Sequence, residues 1–182
     1  MIMRRVKHGK WLGKPIVKFP EDLMVLQEII WETRPDTIIE CGTKYGGSAL
    51  LMASILDQIS KGKIITIDNK NRGELKHPRI NYITGNSLEQ DIRPDGETMV
   101  VLDSDHSYTH VLHELEKYAP MVTKGQYLIV EDTTYSSQYE GGGPAKAVSE
   151  FLKNHKEFEI DRNREKFLIT MNRGGYLKRL NI

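Results

Sequence analysis

The chain has 182 residues, of which 28% are charged and 38% are hydrophobic, and its formal net charge is +1. This length predicts one domain over residues 1–182, with residues 1–20 as an N-terminal arm. The balanced charge gives no reason to expect nucleic acid as a partner. No apolar run approaches the roughly 18 residues of a membrane span, and the basic N-terminus has no apolar signal core. Because Cys41 is the one cysteine, we expect a cytoplasmic protein that does not associate with membranes.

Strand and helix patterns alternate along the chain from residue 20 onward. A helix is predicted over residues 20–35, where Pro35 ends it, and a β-branched strand follows at 37–41. The later predicted helices are 48–60, 109–122 and 144–154, and the later predicted strands are 63–68, 80–84, 99–103 and 126–132. Two closing strands, 158–162 and 166–172, are predicted to form an antiparallel hairpin.

This alternation predicts an α/β fold. Continuous apolar strands separated by helices are typical of a parallel sheet that is covered on both faces. The predicted fold class is a doubly wound, mostly parallel, seven-stranded sheet with helices on both faces and a C-terminal antiparallel hairpin. Such sheets bind ligands outside the carboxyl ends of their strands. The acids at those ends are Glu40, Asp68, Asp103, Glu131 and Asp132.

A glycine-rich turn, "ECGTKYGG" at residues 40–47, follows the first predicted strand. Its glycines let the backbone pass close to a ligand, and a helix begins just beyond them. Asp68, at the end of the next strand, is placed to accept the two hydroxyls of a ribose. The turn lacks the GxGxxG fingerprint, which counts against a nicotinamide enzyme. These features favour S-adenosylmethionine (SAM), whose amino group Glu40 could hold directly or through its neighbours.

The expected SAM site continues into "TGNSLE" at residues 84–89, where polar side chains would lie near the adenine. The candidate cofactor-binding residues are Glu40, Gly42, Thr43, Gly46, Ser48, Asp68, Asn86, Ser87 and Asp103.

A divalent metal site is predicted at the next two strand ends. Asp103, Glu131 and Asp132 supply three carboxylates, and a hard cation such as Mg²⁺ prefers such oxygen ligands with positions left open for substrate. Zinc is disfavoured because Cys41 is isolated and no paired histidine spacing is convincing. His106, three residues beyond Asp103, is the candidate general base and, with Asp103, the candidate catalytic pair.

The chain resembles the cephalosporin hydroxylase and rhamnosyl O-methyltransferase family. The resemblance rests on "WLGKPIVKFPEDLMVLQEIIWETRPDTIIECGTKYGGSAL", "LDSDHSYTHVLHELEKYAPMVTKGQYLIVEDT", "GGGPAKAVSEFL" and "FLITMNRGGYLKR". It implies a Rossmann-like, SAM-dependent methyltransferase fold, and Mg²⁺ held at Asp103, Glu131 and Asp132. It also implies that Glu40, Gly42, Ser48 and Asp68 surround the methyl donor. A more distant likeness to catechol-type O-methyltransferases, which have a lysine base at the position of His106, leaves the base open between His106 and the metal.

The predicted activity is Mg²⁺-assisted transfer of a methyl group from SAM to a hydroxyl of a small molecule, a sugar or a natural-product precursor. A homo-oligomer is also expected. Two alternatives stay open at this point. A metal-dependent hydroxylase would need redox iron, which prefers two histidines and one carboxylate. A non-catalytic SAM-binding or interaction protein would not need the three carboxylates.

Overall fold

The computed structural model describes residues 9–70 and 76–182. Within these ranges the helices are α1 (Pro20–Thr33), α2 (Gly47–Gln58), α3 (Tyr108–Tyr118) and α4 (Gly143–Asn154). The strands are β1 (Gly9–Trp11), β2 (Lys14–Ile16), β3 (Thr37–Cys41), β4 (Lys63–Asp68), β5 (Ile80–Thr84), β6 (Thr98–Leu102), β7 (Tyr127–Val130), β8 (Phe158–Ile160) and β9 (Tyr176–Arg179). None of the helices in this part of the chain is both long enough and apolar enough to cross a membrane.

Seven of the described strands form one sheet in the order β5-β4-β3-β6-β7-β9-β8. The pairs from β5 to β7 are parallel, and β9 pairs antiparallel with both β7 and β8. The chain proceeds outward from β3 to β5 and then returns to place β6 against the other side of β3. Open α/β sheets bind ligands at such a switch in strand order, so the crevice beyond β3 and β6 is the expected site.

Alternate strand residues enter two separate cores, one on each face of the sheet. Ile38 packs with α1 and α2, whereas its neighbour Ile39 packs with α3 and α4. Both faces of the central strands are therefore buried, which explains why their sequences are continuously apolar. The predicted fold class is confirmed.

Residues 9–16 of the N-terminal segment pack against the body of the protein. β1 and β2 form a two-stranded antiparallel hairpin, and Trp11 Nε1 donates a hydrogen bond to Ser54 Oγ of α2 at 3.1 Å. Residues 1–8, which belong to the predicted arm, lie outside the described residues. The hairpin fixes the path of the chain that leads into α1.

The second closing strand lies later in the chain than predicted. The predicted strand 166–172 is irregular, and the strand that pairs with β7 and β8 is β9, Tyr176–Arg179. The carboxylate of Asp22 accepts hydrogen bonds from Thr170 Oγ1 and from the Met171 backbone nitrogen, at 2.5 and 2.9 Å. These bonds hold the segment against α1, so strand pairing begins only after the turn at Gly174 and Gly175.

Candidate active site

A cavity of about 1060 Å³ opens at the carboxyl edge of the sheet. Its walls come from the hairpin-to-α1 segment, from the turns after β3, β4, β5 and β6, and from residues beyond β7. Ligand pockets range over roughly 300–1,000 Å³. The cavity can therefore take a nucleoside-sized molecule together with a second small molecule. Thr43, Ser48 and Asp103 are among the predicted site residues that line it.

The turn after β3 requires glycine at two positions. Gly42 has a φ of +103°, and a Cβ there would lie 2.0 Å from the carbonyl oxygen of Asp103. A Cβ on Gly47 would lie 2.2 Å from the carbonyl oxygen of Pro15. The backbone of this turn therefore packs directly on the residue that follows β6 and on the N-terminal hairpin. Gly46, which is also a predicted site residue, is not among the residues that line the cavity.

The carboxylate of Asp68 is held at the cavity wall by the backbone. Its two oxygens accept hydrogen bonds from the Lys44 nitrogen at 2.7 Å and from the Lys70 nitrogen at 2.9 Å. Asp68 and its neighbour Asn69 both line the cavity. A carboxylate oxygen has more than one lone pair, so a fixed acid of this kind can still accept hydroxyl groups of a bound ribose.

Glu40 lies behind the cavity wall rather than in it, so its position fits the second of the two predicted routes to the SAM amino group, directly or through its neighbours. The side chain is buried, and its carboxylate accepts hydrogen bonds from Ser48 Oγ and, at 2.5 Å, from Thr66 Oγ1. Burial raises the pKa of Glu40 to about 7 against the opposing effect of these hydroxyls. Ser48, which contacts Glu40, does line the cavity.

Asn86 and Ser87 lie at the other side of the cavity, as their place after β5 predicts. Asn86 Oδ1 caps a short 3-10 turn by accepting a hydrogen bond from the Leu88 nitrogen at 3.0 Å. Ser87 Oγ donates to the buried Glu114 carboxylate at 2.5 Å. Ser104 Oγ donates to the same Glu114 oxygen at 2.7 Å, so this acid ties the turn after β5 to the turn after β6.

Asp103, His106 and Asp132 form a cluster that faces the cavity. Each offers one ligand atom, and these atoms all lie within 4.8 Å of one another. His106 Nε2 is 3.1 Å from Asp132 Oδ2 and 3.8 Å from Asp103 Oδ1. Asp132 has a left-handed backbone with a φ of 59°, and its nitrogen donates to Asn172 Oδ1 at 3.1 Å. This conformation turns consecutive acids, Glu131 and Asp132, in different directions.

Glu131 meets the cluster through Lys18, a residue that the sequence interpretation missed. Lys18 Nζ lies 2.9 Å from Asp103 Oδ2 and 2.8 Å from Glu131 Oε1, and the Lys18 side chain is 5% exposed. Glu131 does not line the cavity, whereas Lys18 does. The structure thus brings Asp103, His106 and Asp132 together, while Glu131, the third residue of the predicted metal set, contacts Lys18. The signal was present as a lysine in "WLGKPIVKFP", two residues before α1.

The charges in this region perturb one another strongly. Burial raises the pKa of Glu131 to about 7, although Lys18 opposes this effect. Burial would lower the pKa of His106, but its hydrogen bond with Asp132 and the charge of Asp103 more than offset burial, so the His106 pKa is raised. Burial would raise the pKa of Asp132, but the same contact with His106 lowers it overall. The pair therefore favours an imidazolium beside a carboxylate.

Tyr139 closes one side of the cluster. Its hydroxyl donates to Asp132 Oδ2 at 3.3 Å, and its ring centroid is 4.9 Å from that of His106. Tyr139 belongs to the segment between β7 and α4, which folds into short 3-10 turns at Thr133–Gln138 and Glu140–Gly142. This segment follows the acids of the cluster directly, so it is placed to contact any molecule that reaches them.

The fold and site are those of an α/β protein with a nucleoside-sized cavity and an acidic cluster at a switch in strand order. The Rhamnosyl O-methyltransferase/CmcI family matches the chain over residues 4–180, and the chain belongs to this family. Rhamnosyl O-methyltransferase of Mycobacterium tuberculosis is 31% identical over 189 residues, which span 93% of this chain and 77% of that protein. The protein of the same name from Mycobacterium leprae is 31% identical over 93% of this chain and 82% of its own length.

Solved structures show the same fold. CmcI with S-adenosylhomocysteine (SAH) superposes with a TM-score of 0.79 at 21% identity, over 97% of this chain and 84% of that one. CmcI with Mg and SAM gives a TM-score of 0.77 at 21% identity, over 94% of this chain and 76% of that one. The MycE methyltransferase with Mg and SAH gives 0.58 at 17% identity, over 85% of this chain and 48% of that one.

Proposed function

We propose that the protein is a SAM-dependent, Mg²⁺-assisted O-methyltransferase that acts on a hydroxyl of a small molecule or sugar. The observation that carries this proposal is one cavity that joins the fixed Asp68 carboxylate and glycine turn to the Asp103–His106–Asp132 cluster. The family membership and the names of the relatives support it, and so do the Mg, SAM and SAH that accompany the CmcI structures.

The donor half of the site fits a nucleoside. Asp68 accepts the ribose hydroxyls, because its carboxylate is already fixed by two backbone N–H groups. Gly42 and Thr43 line the wall where the amino acid part of the donor lies, and Asn86 with Ser87 borders the base. Gly42 touches the backbone of Asp103, which places the two halves of the cavity side by side. This juxtaposition orients a methyl donor toward an acceptor at the cluster.

The acceptor half fits a hard cation. Asp103 and Asp132 offer carboxylate oxygens that face the cavity, which is the donor chemistry that Mg²⁺ prefers. When bound, Mg²⁺ supplies a positive charge that lowers the pKa of an acceptor hydroxyl. His106 Nε2 accepts the proton from that hydroxyl only when the imidazole is neutral, which its raised pKa shifts toward higher pH, and Asp132 then stabilises the resulting imidazolium. Tyr139 packs against His106 and limits the rotation of its ring.

The acceptor class follows from this chemistry. A cation with open positions binds a molecule that offers two adjacent oxygens, such as a vicinal diol of a sugar or a hydroxyl beside a carbonyl. The rhamnosyl O-methyltransferase relatives support a sugar-type acceptor. Residues between β7 and α4, including Tyr139, are the ones that select it.

A cytoplasmic homo-oligomer is also part of the proposal. The single cysteine and the formal charge of +1 support a cytoplasmic location without nucleic acid or membrane partners. Large apolar side chains support self-association, because Trp31 of α1 is 53% exposed and Leu168 is 95% exposed. Light scattering coupled to size-exclusion chromatography measures the assembly, and a monomeric mass at micromolar concentration would contradict it.

Calorimetric titration with SAM and SAH, with and without Mg²⁺, tests the donor site. We expect saturable binding that Asp68→Ala weakens by at least tenfold, whereas Asp91→Ala, at an exposed acid, leaves it unchanged. Release of SAH from SAM on addition of a diol-bearing sugar and Mg²⁺ then reports methyl transfer. The absence of binding in both metal states would overturn the proposal. Binding without turnover over a broad acceptor panel would favour a non-catalytic binding protein instead.

A further inference from the structure

Lys18 is a buried cation inside an acidic cluster. It lies between β2 and α1, so the N-terminal hairpin and the first helix together determine where its side chain goes. The carboxylates of Asp103 and Glu131 are both within 2.9 Å of its ammonium group. Electrostatic interactions extend from Lys18 to Glu40 and Asp132 as well. Lys18, which lines the cavity, therefore contacts two carboxylates and interacts electrostatically with two more.

The two oxygens of Asp103 have different neighbours. Oδ2 is bound by Lys18 at 2.9 Å, whereas Oδ1 faces His106 Nε2 at 3.8 Å. Glu131 Oε1 is likewise held by Lys18, at 2.8 Å. A charge-assisted hydrogen bond fixes the orientation of a carboxylate. Lys18 thus leaves Asp103 Oδ1 facing His106, while it binds Glu131 and the other oxygen of Asp103.

Lys18 also changes the charge that a cation would encounter. Asp103, Glu131 and Asp132 together carry up to three negative charges, and Lys18 compensates one of them at contact distance. A like charge within a few ångströms of a bound cation opposes its binding even at an effective dielectric constant of about 20. Reorganisation of the site reduces this effect, so a tenfold change in affinity is a conservative expectation.

We propose that Lys18, by occupying Glu131 and one oxygen of Asp103 and by its positive charge, weakens the affinity of the acidic cluster for a divalent cation. This inference rests on the proposed function, because it assumes that the cluster takes a cation. As a consequence, the bound cation exchanges with solvent and is not a permanent structural ion. A purely structural lysine would have the opposite effect, because its loss would disorganise the cluster and weaken cation binding.

Calorimetric titration of the full chain with Mn²⁺ and with Mg²⁺ alone tests the inference. Lys18→Met is expected to bind Mn²⁺ at least tenfold more tightly than wild type. Lys18→Arg, which keeps the charge, is expected to retain the wild-type affinity. Lys10→Met is the matched control, because Lys10 is an exposed lysine of the preceding hairpin.

The substitution also leaves two buried carboxylates without their partner, which threatens folding. The same comparison is therefore made in a Glu131→Gln background, where one of those carboxylates is neutral. Lys18→Met combined with Glu131→Gln is expected to bind Mn²⁺ at least tenfold more tightly than Glu131→Gln alone.

The outcomes separate this inference from the function on which it rests. The inference alone is overturned if wild type binds Mn²⁺ and the Lys18→Met variants that fold show no gain in affinity. Wild type that takes no Mn²⁺ overturns the metal site of the proposed function, and the inference with it. SAH binding is measured on the same samples, and its loss in wild type overturns the donor site independently.

Discussion

Glu40→Gln is expected to remove a pH-dependent loss of stability. Burial raises the pKa of Glu40 from the ordinary value of 4.5 to about 7. Between these two pH values the folded protein binds more protons at this residue than the unfolded chain does, so stability falls as the pH rises. At about 1.4 kcal/mol per pH unit, ionisation of Glu40 costs the folded state about 3 kcal/mol by pH 8. Below pH 4.5 this cost is absent.

Glutamine fits the same hydrogen bonds without the charge. Ser48 Oγ can still donate to its carbonyl oxygen, and Thr66 Oγ1 can accept from its amide because Thr66 also contacts Thr43 Oγ1 at 2.6 Å. We therefore expect Glu40→Gln to be about as stable as wild type near pH 4.5. By pH 8 the variant should be more stable by about 3 kcal/mol.

Urea unfolding followed by circular dichroism, at intervals from pH 4.5 to pH 8, measures the difference between the two proteins. The difference removes the contributions of groups that titrate equally in both. Glu159→Gln, at an exposed position of β8, is the matched control. A difference that stays constant with pH, or a variant that becomes relatively less stable as the pH rises, would refute the argument that burial dominates at Glu40.

Two further predictions follow from the backbone at the cavity and from the α1 contact. Gly42→Ala should abolish SAH binding in calorimetry, because its Cβ would lie 2.0 Å from the Asp103 carbonyl oxygen. Gly13→Ala is the control, because Gly13 has a φ of +86° but nothing lies within 4 Å of its Cβ, and it should lower the free energy of unfolding by only about 1 kcal/mol in urea. Equal effects of the two variants on SAH binding and on unfolding would contradict the clash. Asp22→Ala removes acceptors for Thr170, Met171 and Tyr176 and should lower the free energy of unfolding by about 3 kcal/mol. Glu21→Ala is its control, and equal losses would refute that role.

The sequence allowed the sheet and the positions of its acids to be predicted because both depend on local patterns. Asp68 ends a strand whose four central residues are buried, and Asp103 follows one that is buried throughout. Parallel strands bring their carboxyl ends to one edge, so acids far apart in the chain were expected to share a cavity. Family resemblance then indicated the ligand class from motifs that cover most of the chain.

The details that were missed depend on contacts between distant segments. Lys18 lies 85 residues from Asp103, and no local pattern distinguishes a lysine that turns inward from one in a solvated arm. For Glu40 the sequence left open a direct contact or one through its neighbours, and the hydroxyls of Ser48 and Thr66 hold it behind the wall. The β-branched segment before β9 was predicted as a strand, and Asp22, 148 residues away from Thr170, holds it elsewhere.

A crystal structure with SAH and Mn²⁺ tests whether one cavity holds both the methyl donor and the metal, because anomalous scattering locates the metal without assumptions about its ligands. We expect SAH in the cavity with its ribose hydroxyls on Asp68, and Mn²⁺ on Asp103 and Asp132 beside His106. SAH bound elsewhere, or Mn²⁺ that contacts neither Asp103 nor Asp132, would contradict this expectation.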